Sequence, residues 1–88
     1  MKTSVGNMRT AKVGEGFYVG RPTKWGNRFV IGRDGDRATV IAKYERWLRA
    51  QPQLMAELPE LKGRKLLCWC APAACHADVL ARLAEEVA

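Results

Sequence analysis

The only histidine of the chain, His76, directly follows one of its three cysteines, Cys75. The other two, Cys68 and Cys70, stand a few residues upstream. A cysteine that follows a proline-bearing turn and opens a helix meets unpaired N–H groups and the positive end of the helix dipole. Both stabilise a thiolate, and the same amides can bind a phosphate or carboxylate. His76 beside it can donate or accept a proton. Cys75 and His76 are therefore the candidate catalytic pair. The six-residue return to arginine of cysteine phosphatases is absent, because Ala81 stands there and Arg82 comes one later.

Cys68, Cys70, Cys75 and His76 also equal a structural zinc set in number. Their spacing departs from the usual knuckles, since adjacent side chains leave a helix start about 100° apart. No metal is favoured on this ground, and zinc is the alternative. Cys68 and Cys70 share one face of a strand and read equally as small buried residues; Trp69, on the opposite face, reads as a core residue before a ligand platform. A disulfide scaffold would spread its cysteines along the chain, so the clustering points to a reducing compartment.

The second constellation is the loop of residues 20–28. Arg21 and Lys24 bring positive charge, Trp25 a flat ring and Asn27 a paired donor and acceptor. An aromatic ring between cations suits a base and its phosphate. The competing reading folds Trp25 back over the core.

These residues must be held by the elements around them. Residues 36–50 predict a helix with Val40, Ile41, Tyr44, Trp47 and Leu48 on one face; Asp34 or Asp36 starts it and Pro52 stops it. Leu54, Met55 and Leu58 predict a short second helix before Pro59. Residues 65–70 read as a buried strand broken by Pro72. His76 to Val87 forms a last helix with Val79, Leu80, Leu83 and Val87 facing a sheet. Phe17–Val19 reads as a strand, Thr3 to Met8 as another, and Phe29–Ile31 as a further extended piece. The expected fold is a small single-domain α/β sandwich over residues 1–88. Its short, partly parallel sheet has three to four strands covered by two to three helices. Ligands collect at the carboxyl ends of such strands, where the 20–28 loop and residues 71–76 would meet.

Composition fits. The chain has 88 residues, 48% hydrophobic and 27% charged, a globular balance. No apolar run is long enough to span a membrane, and residues 1–6 lack the apolar stretch of a signal peptide. A cytoplasmic protein is expected, in the host cytoplasm if phage-encoded. Fifteen Lys and Arg against nine Asp and Glu give +6. Residues 1–65 carry the excess and residues 66–88 are net acidic, which points to a phosphate-bearing partner. Arg46, Arg49, Lys62, Arg64 and Lys65 read most simply as a solvated basic surface.

Two blocks carry a resemblance. Tyr18-Val19-Gly20-Arg21-Pro22-Thr23-Lys24-Trp25-Gly26-Asn27 and Cys68-Trp69-Cys70-Ala71-Pro72-Ala73-Ala74-Cys75-His76-Ala77-Asp78-Val79-Leu80 resemble the paired signatures of a small domain-of-unknown-function family found in phages and actinobacteria. The resemblance spans roughly residues 17–83. Arg28 stands where the family usually has proline, and Ala77 where it usually has glycine. The resemblance implies an architecture and candidate positions but no reaction.

The leading expectation is an anion pocket between the 20–28 loop and the Cys75–His76 helix start. Arg21, Lys24, Trp25 and Asn27 would hold a nucleotide, a nucleotide-derived ligand or a nucleic-acid end, and both binding alone and Cys/His catalysis stay open. A second reading is a non-enzymatic basic nucleic-acid-binding module with a Cys3His zinc site. A third is a phage-type protein that binds a host protein. The limited core of so short a chain is also compatible with a homodimer.

Overall fold

A computed structural model describes residues 2–12, 14–70 and 73–87. Three strands form its sheet: β1 (Ser4–Asn7), β2 (Phe17–Tyr18) and β3 (Lys65–Cys68). Between β2 and β3 run α1 (Arg37–Arg49), α2 (Pro52–Glu57) and a 3₁₀ turn (Leu58–Leu61), and α3 (His76–Val87) follows β3. The fold is α/β. The strand order is β1-β3-β2, with both outer strands parallel to β3, so the sheet is parallel throughout. Ser4 to Asn7 pair in register with Lys65 to Cys68, and Phe17 and Tyr18 pair with Leu66 and Leu67. All three carboxyl ends therefore lie at one edge.

Local chemistry sets the helix ends. The Asp36 carboxylate accepts from the Thr39 N–H at 2.8 Å and caps α1. Pro52 occupies the first turn of α2, where its missing N–H costs nothing. At α3 the Cys75 N–H donates to Asp78 Oδ2 at 2.9 Å, while the Ala77 N–H donates to Cys75 Sγ at 3.3 Å. This is a reciprocal cap with a thiol in the hydroxyl's usual place.

The core joins Val19, Trp25, Tyr44, Leu48, Leu58, Leu61, Leu66, Leu80 and Leu83, all buried. Val79 and Ala84 complete the inner face of α3. Truncating a buried leucine such as Leu80 to alanine costs about 2–5 kcal/mol. The Val87 side chain and the proposed strand breaker Pro72, with Ala71, lie outside the described residues. No helix is long and apolar enough to cross a membrane.

Three expectations are corrected. Residues 29–31 form no strand, because Asp34 takes both main-chain groups of Val30. Its Oδ2 accepts the Val30 N–H and its N–H donates to the Val30 carbonyl, each at 2.8 Å. The buried strand ends at Cys68, short of residue 70. Trp69 lies in no core; it is 55% exposed.

Candidate functional site

A cleft of about 450 Å³ opens at the carboxyl edge of the sheet. The chain leaving β2 gives one wall with Tyr18, Gly20 and Arg21, and the end of β3 gives Cys68, Trp69 and Cys70. The start of α3 adds Cys75 and His76. Opposite them stand Arg37, Val40 and Ile41 of α1 with Asn27, Phe29, Val30 and Ile31.

The 20–28 loop is a closed turn system. The Gly20 carbonyl accepts from the Thr23 N–H at 2.9 Å and the Thr23 hydroxyl at 2.6 Å, and the Gly26 N–H donates to the Thr23 carbonyl. The Tyr18 hydroxyl donates to the Arg21 carbonyl at 2.6 Å. The buried Tyr44 hydroxyl donates to the Trp25 carbonyl at 2.7 Å, fastening the loop to α1. Gly26 is required here: a Cβ would meet Cα and N of Arg21 at 3.0 Å.

The predicted loop residues divide. Arg21 is exposed and lines the cleft. Asn27 lines it too, but its amide is spent on the fold: Nδ2 donates to the Val40 carbonyl and Oδ1 accepts from the Phe29 N–H. Trp25 is 1% exposed and belongs to the core. Lys24 pairs with Glu57 at 2.5 Å and approaches Glu60, pointing toward α2 and away from the cleft. The Lys24 ammonium does stand over the Trp25 ring, 5.5 Å from its centroid, but neither residue lines the cleft, so the pair forms no platform there.

Sequence reasoning passed over their replacements. Trp69 and Ile31 are the exposed large hydrophobic residues among those described, and both line this cleft. Arg37 lines it as well, its Nη1 donating to the Ala74 carbonyl at 2.9 Å across to the segment before α3. Neither Arg21 nor Arg37 has a carboxylate partner among the described residues, whereas Lys24, Arg33, Arg49, Lys65 and Arg82 do. Proximity of Trp69 to Cys68 and Cys70 in sequence was the one signal that could have placed it.

The thiols converge. Sγ of Cys68, Cys70 and Cys75 lie within 4.8 Å of one another, close enough to share a metal ion, and Cys68 Sγ is 2.8 Å from Cys75 Sγ. The contact with Cys68, followed by burial, pushes the Cys75 thiol well above its ordinary value; the Ala77 N–H opposes this and loses. The direction of this shift is opposite to the one that the helix start alone would give. His76 Nε2 lies 2.8 Å from the Val19 carbonyl, and the ring packs edge-on against Tyr44 at 5.2 Å. Burial, assisted by the charge of Arg21, holds its pKa below the usual value despite that bond. The imidazole is neutral and pinned, turned toward β2 and away from the thiols.

No solved structure matches this chain. It is 31% identical over 74 residues to an uncharacterised 12.4 kDa protein of the nrdA–td intergenic region of Enterobacteria phage T4, covering 78% of this chain and 67% of the phage protein. It is 35% identical over 48 residues to an uncharacterised protein of Acanthamoeba polyphaga mimivirus, covering 54% of this chain and 36% of the viral one. Residues 5–86, nearly the whole chain, match the family described as a domain of unknown function, DUF4326, and the protein belongs to that family.

Proposed function

We propose that the cleft binds a phosphate-bearing ligand with a planar base, a nucleotide or an exposed nucleic-acid end. The observation that carries this reading is the meeting of opposites in one concavity. The large exposed hydrophobic side chains Trp69 and Ile31 border it, and so do two arginines without carboxylate partners, Arg21 and Arg37. Exposed apolar surface of this kind marks a binding site. An indole offers a face for a base, and guanidinium groups match phosphate bidentately. The site also stands where parallel sheets collect ligands, at the carboxyl ends of their strands.

The test is a titration of adenosine monophosphate and a short 5′-phosphorylated oligonucleotide at two salt concentrations. Arg21→Ala and Arg37→Ala each remove a charge-assisted contact of about 1.5–3 kcal/mol, roughly 10- to 150-fold in affinity. Arg46→Ala, exposed on α1, should change affinity less than threefold, and less still in salt. Similar losses at all three positions with a steep salt slope would identify a diffuse nucleic-acid surface instead. Absence of binding to both probes would overturn the reading.

A further inference from the structure

We infer that Cys68, Cys70 and Cys75 hold one thiophilic metal ion, with zinc the natural occupant, and that its fourth coordination position opens into the cleft. His76 is not a ligand.

The geometry favours a single ion. A tetrahedral ion with metal–sulfur bonds of about 2.3 Å separates its thiolates by about 3.8 Å. The three sulfurs lie within 4.8 Å of one another and the closest pair is at 2.8 Å, so the required spacing falls inside the observed range. Small side-chain rotations would equalise the triangle. A Cys68–Cys75 disulfide would use two of these sulfurs and leave unexplained why Cys70, two residues past the end of β3, brings its thiol to the same point. Soft thiolate donors select zinc or cuprous ion over hard cations.

The fourth donor is not supplied by the obvious candidate. His76 Nε2 is engaged with the Val19 carbonyl, and neither ring nitrogen joins the three sulfurs in the group whose ligand atoms all lie within 4.8 Å of one another. The Asp78 carboxylate, one oxygen of which accepts the Cys75 N–H, lies outside that group as well. All three cysteines line the cleft, so the remaining face of the ion looks into it. Three protein ligands with an open position are the pattern of catalytic rather than structural zinc.

Charge also closes. Binding displaces the three thiol protons to solvent, so a divalent ion with three thiolates leaves the site at −1. Arg21 and Arg37 line the same cleft and offset it. What enters the fourth position, a water or an oxygen of the phosphate-bearing ligand, rests on the reading above; the ion itself does not.

Cobalt(II) titration of the reduced, chelator-treated protein tests this. The expected result is one equivalent bound, with thiolate-to-cobalt charge transfer in the near ultraviolet and intense tetrahedral d–d bands in the visible. Cys70→Ser, at an exposed position, should fold, lower the charge-transfer intensity by about a third and weaken affinity at least tenfold, since a lost ligand costs at least as much as a lost supporting contact. His76→Gln should leave both within about twofold. Added imidazole should shift the d–d bands by entering the open position. If adenosine monophosphate leaves those bands unmoved and does not bind, the cleft reading fails and the metal site stands. No charge-transfer band, an unchanged Cys70→Ser spectrum, loss of the bands in His76→Gln, or no response to imidazole would each overturn the inference.

Discussion

His76 Nε2 and the Val19 carbonyl oxygen stand 2.8 Å apart, tying the first residue of α3 to the chain as it leaves β2. Through this contact the helix start that carries Cys75 and the strand that delivers Arg21 are fixed to one another. Losing it in His76→Ala should cost about 1–3 kcal/mol, the cost of a buried acceptor left unpaired.

The same contact has a pH signature. Burial lowers the pKa of His76 from its ordinary 6.5, with Arg21 acting in the same direction and the Val19 contact and Asp78 opposing. The unfolded chain therefore binds this proton more readily than the folded one. Stability is full above pH 6.5 and falls as the pH drops through 6.5 toward the lower folded value. Denaturant melts at pH 7.5 and 5.5 should show a larger loss for the wild type than for His76→Gln, in which all other groups still titrate. Parallel losses would dismiss His76 as the group responsible.

Trp25 and Trp69 should separate stability from binding. Trp25→Ala empties the core and should cost about 3–5 kcal/mol. Trp69→Ala, at a half-exposed position, should move the melting temperature little and weaken nucleotide binding by about 1–3 kcal/mol, the worth of one stacked base. Thermal melts alongside fluorescence titrations measure both. A Trp69 variant that binds normally would leave the cleft without its platform.

Lys24 and Gly26 make a matched pair on the loop. Lys24→Ala should change ligand affinity less than about twofold, because its ammonium serves Glu57 and lies off the cleft. Gly26→Ala should weaken binding clearly more, since the new methyl must displace the Arg21 main chain. The reverse order in a titration would show that the lysine reaches the ligand after all.

Gly16→Ala tests the sheet itself. Its Cβ would lie 2.5 Å from the Lys65 carbonyl oxygen, a main-chain atom, so β2 and β3 must part locally. Overpacking of this kind costs about 1–3 kcal/mol. Calorimetry reads it directly, and an unshifted transition would mean that the strand pairing yields.

Chelation should not unfold the protein. Cys68 and Cys75 belong to the same buried cluster as the leucines at 48, 58, 61, 66, 80 and 83, but the apolar contacts of those leucines need no ion. After chelator treatment the cobalt spectrum should be recoverable and unfolding should stay cooperative, with a shifted midpoint. A non-cooperative melt on metal removal would make the ion a folding element.

Periodic signals in the sequence translated well. The faces of α1 and α3, the Asp36 cap and the apolar strand before residue 70 follow from spacing and propensity, because burial on one side forces a period. The cleft's location followed from parallel topology. The identity of its aromatic side chain did not. Strand parity placed Trp69 on the core side, but β3 ends at Cys68 and parity ends with it. Trp25 sits in a loop with no period, where only tertiary packing against Tyr44 decides burial. Arg37 was silent for a related reason: it belongs to no motif and no apolar period, and its reach to the Ala74 carbonyl depends on two elements far apart in sequence. The convergence of Cys70 with Cys68 and Cys75 is likewise a tertiary property, which no spacing rule describes.

Because β1 and β2 both pair with β3 and not with each other, synthesis of the chain has a late point of commitment. A nascent polypeptide stopped short of residue 65 carries two strands with no neighbour to pair with and helices with no sheet beneath them. The long-range pairings form together once residues 65–68 leave the ribosome, and α3 follows within twenty residues. The two N-terminal strands therefore have no sheet partner until residues 65–68 have been made.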